Sequence, residues 1–372
     1  MHLSTLATVT SLALVTLVPQ QAQALKLHGD ELELYGTFHI SADYMDSGVS
    51  SDEVNTDSKL TDGSLSISSN SSHIGLRGKI ASTLEGIDLI WQLEQNLTLD
   101  GSSSDTFTTR NSYAGLAGAD WSVKAGRYDT LAKRMFVENS IFKHTVADYG
   151  MILGAASGKG GLMNKRAENM VLGEYRFGLA DGSMLTRAMY SSDADKSSGT
   201  TDDNANKMLS ASLQWSNKQT LVGLAWDHWG DLSGTMGPVS LWRAAIRQDF
   251  GTLRAVALLE KISVDEVTDT NRMLDRDARG IQLSWKPGDW QLMAQWLSAS
   301  SYSGSSDTGA QAWSVGAVYP IAKKSNLYLM ATKTDNEDAA TYQGVDGTHG
   351  DELSALAGGQ PKAVSAGFVV TF

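Results

Sequence analysis

The last ten residues read AVSAGFVVTF (363–372). Even positions carry Val364, Ala366, Phe368, Val370 and Phe372, and odd positions carry Ala363, Ser365, Gly367, Val369 and Thr371. A period of two is a strand with two unlike faces. In a soluble sandwich the more apolar face turns inward. In a barrel immersed in lipid it turns outward, because the solvent outside is hydrocarbon. The chain upstream has to decide between these.

The same alternation recurs from Glu31 onward. In ELELYGTFHISADY (31–44), Leu34, Phe38, Ile40 and Ala42 oppose Tyr35, Thr37, His39 and Ser41. In GIQLSWK (280–286), Ile281, Leu283 and Trp285 oppose Gln282, Ser284 and Lys286. LWRAAIR (241–247) sets Arg243 and Arg247 against Trp242, Ala244 and Ile246. The connectors alternate in length. Short ones are built from turn residues: STLEG (82–86), GAD (118–120), GLADG (178–182), SNKQ (216–219), DFG (249–251), PGD (287–289) and AKKSN (322–326). Long ones, such as 45–63, 191–206 and 334–352, are rich in Ser, Asp, Gly and Thr. Seven short turns interleaved with eight long loops predict sixteen strands, with both termini on the short-turn side. At about 22 residues per strand and connector, this is a transmembrane antiparallel β-barrel. Trp121, Trp215, Trp285, Trp290, Tyr319 and Phe372 cluster near the short turns, as an aromatic girdle at a water–lipid boundary would.

Bulk composition agrees. Hydrophobic residues make up 41% of the 372 residues, and Pro is rare at 5, which suits long paired strands. No apolar run reaches the roughly 18 residues of a spanning helix. The absence of Cys removes disulfides, thiolate metal sites and thiol catalysis, and a net charge of −12 argues against nucleic acid as a partner. Leu6–Val18 forms the apolar core of an export signal, and Ala22-Gln23-Ala24 places small residues for a cut after Ala24, although MHLST lacks the usual Lys or Arg. The expected organisation is a signal peptide over 1–24 and one barrel domain over 25–372.

The polar faces carry His73, Arg77, Lys79, Arg110, Lys124, Arg166, Glu168, Glu174, Arg176, Arg187, Arg243 and Arg247. Ionisable groups on a lipid face cost up to several kcal/mol (about 2–4 for Arg or Lys at mid-depth), so these point into a wet lumen. One connector breaks the pattern. Residues 127–165 form a long segment with apolar residues at Met135, Phe136, Val137, Ile141, Phe142, Val146, Met151, Ile152 and Leu153. A loop so long and so apolar must pack on something. Folded into the lumen it would narrow the pore and set Asp129, Glu138 and Asp148 opposite the basic wall, a field that sorts ions by charge. The alternatives are an external lid or a subunit contact.

Two stretches, SHIGLRGKIASTLEGIDLIWQLEQNL (72–97) and RNSYAGLAGADWSVKAGRYDT (110–130), resemble the general porins of Gram-negative bacteria, as does the terminal Phe372. The resemblance implies a homotrimer of sixteen-stranded barrels in the outer membrane, with the third loop inside each lumen. Its solutes would be ions and small hydrophilic molecules, with no cofactor, no metal and no catalysis. It places Arg77, Arg110 and Arg127 on the constriction wall, to which His73 and Lys124 are added from the strand faces. His73 stands where the family carries arginine, and VADYGMILG (146–154) replaces the family's pro-glu-phe-gly motif. The expected partners are outer-membrane lipid and lipopolysaccharide, and the barrel-insertion machinery reading the strand that ends at Phe372. Acids crowd the long loops, among them Asp46, Asp52, Glu53, Asp57, Asp62, Asp346, Asp351 and Glu352, and tilt the mouth slightly toward cations against a basic eyelet.

Three rival functions stand beside the diffusion channel. An enzyme on a barrel would use Asp227-His228, yet neighbours on a strand point to opposite faces. A sugar-specific channel would line its lumen with aromatics, and most Trp here face outward. A structural or adhesive barrel would have its pore plugged.

Overall fold

The computed structural model describes residues 25–49, 54, 59–102, 107–156, 161–194, 207–232 and 236–372. The leader (1–24) and the first-loop acids Asp52, Glu53 and Asp57 lie outside these residues. Sixteen strands follow in chain order: β1 (Leu32–Asp46), β2 (Ser64–Ser69, continuing as His73–Ala81), β3 (Asp88–Leu97), β4 (Phe107–Thr109, continuing as Ser112–Ala117), β5 (Trp121–Asp129), β6 (Arg166–Leu179), β7 (Gly182–Ser191), β8 (Met208–Ser216), β9 (Thr220–Trp229), β10 (Val239–Phe250), β11 (Leu253–Val264), β12 (Arg276–Trp285), β13 (Gln291–Ala299), β14 (Ala310–Ala322), β15 (Ser325–Asn336) and β16 (Lys362–Thr371). Each pairs antiparallel with the next, and β16 pairs with β1, so the sheet closes. A short segment, Leu25–His28, folds back on β1 as an additional hairpin.

The connectors fall where the turn residues put them. Gly86, Gly251 and Gly288 take φ of 71°, 70° and 67°, the left-handed region that tight turns between adjacent strands require. Faces alternate as the period of two demands. In β12 buried and exposed residues alternate without a break from Arg276 to Trp285. Exposed positions are apolar, including Leu213, Leu259, Ile281, Val315 and Leu329. The polar strand residues are on the buried face, including Ser210, Asp227, Arg243, Glu260, Gln282, Gln295 and Ser365, beside apolar ones such as Leu258 and Leu297. This inversion of the soluble pattern is what a hydrocarbon exterior selects.

Aromatics mark both ends of the apolar band. Trp285, Trp290 and Tyr319 lie outward near the short turns, and the last two rings meet at 4.9 Å. At the long-loop end Trp226 packs on Trp242 at 6.0 Å and Trp296 on Trp313 at 6.1 Å. That second girdle was not part of the sequence expectation, because its members sit three residues inside their strands and not beside a turn.

The terminal aromatic closes the ladder. Phe372 N–H donates to the Gly36 carbonyl and Gly36 N–H donates to the Phe372 carbonyl, both at 3.1 Å. The Phe372 ring lies over Gly36 and 5.2 Å from the Phe38 ring. A Cβ on Gly36 would stand 2.6 Å from that ring and 2.8 Å from the His73 carbonyl oxygen. Gly36→Ala is therefore expected to lower the temperature at which the folded barrel unfolds in detergent. Alanine at Gly178, where a Cβ meets nothing within 4 Å, should leave it unchanged. On the lipid face, Leu213→Arg should cost about 2–4 kcal/mol in equilibrium unfolding from bilayers.

Candidate functional site

The third long loop (130–165) begins as a helix, α1 (Leu131–Asn139). Thr130 caps it, its hydroxyl accepting from Lys133 N–H at 3.3 Å. Leu131, Ala132, Met135 and Phe136 are fully buried on one helical face. Gly223 on β9 leaves the space that the Met135 sulfur fills.

From there the loop runs across the polar faces of successive strands. Leu131 N–H donates to Ser210 on β8 at 3.0 Å, and Ala132 N–H to Asp227 on β9 at 3.2 Å. Ile141 N–H donates to Gln282 on β12 at 2.8 Å, and Gln295 on β13 donates to the Ala147 carbonyl at 2.9 Å. Gly154 N–H donates to Glu260 on β11 at 2.8 Å. Glu260 also binds Arg243 at 2.8 Å and Arg276 at 3.3 Å, all three side chains wholly buried. Arg276 donates in turn to the carbonyls of Ile152 and Ala155, and Arg243 to Asn164 at 2.8 Å. Each guanidinium thus finds loop acceptors as well as a carboxylate, which a buried charge needs. Arg243, expected on a wet wall, is instead an anchor beneath the loop.

A second set of charges lies on β1 to β7 and in the third loop. Asp129 lies 2.7 Å from Lys133 and 3.1 Å from Arg166, and accepts from Asn111 at 2.8 Å. Arg110 pairs with Glu94 at 2.6 Å and donates to Asn96. Lys124 pairs with Glu174, which Arg187 also approaches at 3.4 Å. Glu138 pairs with Arg134 and stands 3.6 Å from Arg187. Arg77 pairs with Glu33 at 2.9 Å and lies over the Tyr35 ring. Lys143 donates to the Val137 carbonyl. Across these groups eight basic side chains meet five carboxylates, an excess of three positive charges.

Arg77, Arg110 and Lys124 each hold a carboxylate of their own, and two expectations need correction. Arg127 stands opposite Ser112 in a register that also pairs Ala125 with Ala114 and Val123 with Leu116. Directly opposed residues share a face, so Arg127 lies on the side away from Lys124, paired with Glu168 at 3.5 Å. Asp148 forms no ion pair with Lys or Arg among the described residues. It accepts from Gly150 N–H at 2.8 Å, from His144 N–H at 2.6 Å and from the Thr348 hydroxyl at 2.6 Å. It caps a short 3₁₀ turn (Tyr149–Met151). His73 lies on the lumen side, its Nδ1 2.9 Å from the Ser71 carbonyl oxygen, with no carboxylate partner among the described residues. Lys133 and Arg134 were missed as site residues. Their signal was the i,i+4 spacing Asp129–Lys133 and Arg134–Glu138, legible only once a helix is assumed there.

A polar cavity of about 480 Å³ opens beside the Asp129 group. Arg110, Asp129, Lys133 and Arg166 form one side, and residues Gly347–Gly350 of the eighth long loop (337–361) another. Among the described residues, no Trp, Tyr or Phe lines it.

The sequence pattern of Gram-negative porins matches residues 8–339. The chain belongs to the Gram-negative porin family. The anion-selective porin from Comamonas acidovorans superposes on this porin with a TM-score of 0.72 at 17% identity, covering 92% of this chain and 99% of that one. OmpT of Vibrio cholerae gives 0.64 at 14% identity, covering 93% and 99%. Salmonella typhi OmpF gives 0.63 at 15% identity, covering 92% and 98%. No curated protein matches the porin in sequence. The family and the fold make it an outer-membrane diffusion channel. Asp227 and His228 on β9 point to opposite faces, Asp227 onto the third loop and His228 to Ser240, so they do not form a pair.

One loop acid of the porin is held unusually. Burial pushes the Asp346 carboxyl up to about 7, against the Gly347 N–H that it accepts from. Glu352 and Asp148 push it the same way, and Lys59 opposes. Its Oδ2 is buried without a hydrogen-bond partner among the described residues. The native state then binds more protons than the unfolded one between about pH 4 and about pH 7, so stability falls as pH rises through that window. Asp346→Asn is expected to raise the unfolding temperature at pH 8 and to change little at pH 4.

Proposed function

We propose that the clusters around Asp129 and Glu138 form the selective constriction of the channel, and that it favours anions. The observation that carries this is the excess of basic over acidic groups around a polar cavity. A surplus of fixed positive charge in a narrow, low-dielectric passage raises the local anion concentration. The acidic mouth counts for less than its composition suggests, because several of its acids are engaged. Asp46 pairs with Lys362, Asp335 with Lys333 and Glu352 with Lys59. A sugar-specific channel is disfavoured, since Trp229, Tyr149 and Tyr342 are buried beneath loops and leave the cavity without an aromatic track.

The same reading includes removal of residues 1–24 on export, assembly as a homotrimer, contact with lipopolysaccharide, and recognition of the β16 strand by the insertion machinery. What supports the last is the apolar alternation that ends on Phe372. The barrel is a passive conduit and uses no catalysis.

The test is the reversal potential across a salt gradient in planar bilayers. Neutralising Arg110 and Arg166 together, each to Gln, should lower anion-over-cation permeability by a factor of about two to five. Arg127→Gln should leave it unchanged. Equal shifts from both would place the selective charge elsewhere.

A further inference from the structure

The eighth long loop is not an external flap. Ala340, Tyr342 and Val345 are fully buried and Leu353 nearly so. Val345 and Leu353 bridge antiparallel, with Gly344 N–H donating to Leu353 at 2.8 Å and Leu353 N–H to Val345 at 3.0 Å. The bridge pinches off a tip, 346–352. Val345 and Leu353 pack with Phe142, Val146 and Ala147 of the third loop and with Met45 on β1. The tip is therefore held at its root by a dry contact shared between the two loops.

Polar contacts then fix the tip on two sides. Toward the third loop, Thr348 Oγ1 donates to Asp148 and lies 2.6 Å from His144 Nδ1. Backbones meet there, since a Cβ on Gly150 would stand 2.6 Å from the Gly347 Cα. Toward the barrel wall, His349 Nε2 lies 3.2 Å from Asp43 on β1, both buried. Ser71 donates to the Thr348 carbonyl at 2.8 Å, and Gly350 N–H to Asn70 at 2.9 Å. The remaining surface of the tip, Gly347 to Gly350, lines the polar cavity with Arg110, Lys133 and Arg166.

We propose that residues 347–350 are a second constriction element, latched to the third loop through Thr348–Asp148 and to the wall through His349–Asp43, so that the passage is bounded by two loops and not one. Solutes then pass between a basic surface from β4, β6 and α1 and a hydroxyl- and amide-rich surface from the eighth loop. The sequence motif that was expected to supply a facing acid, VADYGMILG, instead supplies the seat for this tip through Asp148 and Gly150. The proposal rests on the third-loop constriction argued above and adds a narrowing of its own.

The chain has no Cys, so Thr348→Cys introduces a single thiol. In planar bilayers, modification by a methanethiosulfonate reagent added from the long-loop side should lower single-channel conductance by roughly a third or more. Mass spectrometry should confirm labelling of that thiol. Complete labelling with unchanged conductance, or a folded thiol that never reacts, would overturn the proposal. His349→Ala gives an independent reading. Loss of the wall latch should raise mean conductance and open-channel noise, and a wild-type trace would equally overturn it. Should the eighth-loop variants be silent while the double Arg110, Arg166 neutralisation still shifts reversal potential, the third-loop constriction stands and the second element falls. If neither responds, both readings fall.

Discussion

Strand edges are the liability of this architecture, and closing them is the constraint under which everything else operates. A backbone group left unpaired in hydrocarbon costs several kcal/mol, so a spanning sheet must end on itself. Here the closing seam is β16 on β1, extended by the mutual hydrogen bonds of Gly36 and Phe372. Once the ladder is closed, polar side chains have only one direction in which they cost nothing. The same period of two that would bury apolar residues in a soluble sheet therefore assigns them to the lipid, and delivers Arg, Lys, Glu and Ser to the interior.

A cylinder of sixteen strands is too wide for side chains to fill. The chain fills part of it with loops, and these need firm seats because a loop inside a wet lumen gains little by staying. The Arg243–Glu260–Arg276 group provides one. Removing a single partner from a buried set of this kind leaves a charge uncompensated and costs about 3–5 kcal/mol. The loop's own carbonyls at Ile152 and Ala155 complete the arrangement, so charge satisfaction and loop position depend on each other. Across the lumen the arrangement is looser. There Arg110, Lys133 and Arg166 stay in contact with the cavity. One half of the barrel thus holds the loop, and the other half lines the polar cavity.

Much of this was legible before any coordinates. Alternation, turn residues and connector lengths yielded the strand number and the direction of the faces along the regular strands, because in a barrel each strand is read almost independently of the others. The apolar third loop announced that it must be buried. What misled was position at irregularities. Arg127 was placed with the wall by its motif, yet its register with Ser112 on β4 turns it away from Lys124. Asp148 was placed with the eyelet acids by charge alone, whereas its hydrogen bonds go to backbone N–H groups and a loop hydroxyl. Lys133 and Arg134 stayed hidden because the helix carrying them is stabilised by the wall it packs on more than by its own periodicity.

The amino-acid sequence by itself determined the barrel, its inside and outside, and which loop would be buried. These follow from local periodicity and from the cost of placing charge in lipid, both of which are properties of short stretches. Only the tertiary structure decided which charges face one another across the lumen, which acids serve as caps, and that the eighth loop reaches the same cavity as the third. The contacts between the third and eighth loops join residues two hundred positions apart, as Asp148 and Thr348 are, and nothing in the spacing of either segment refers to the other.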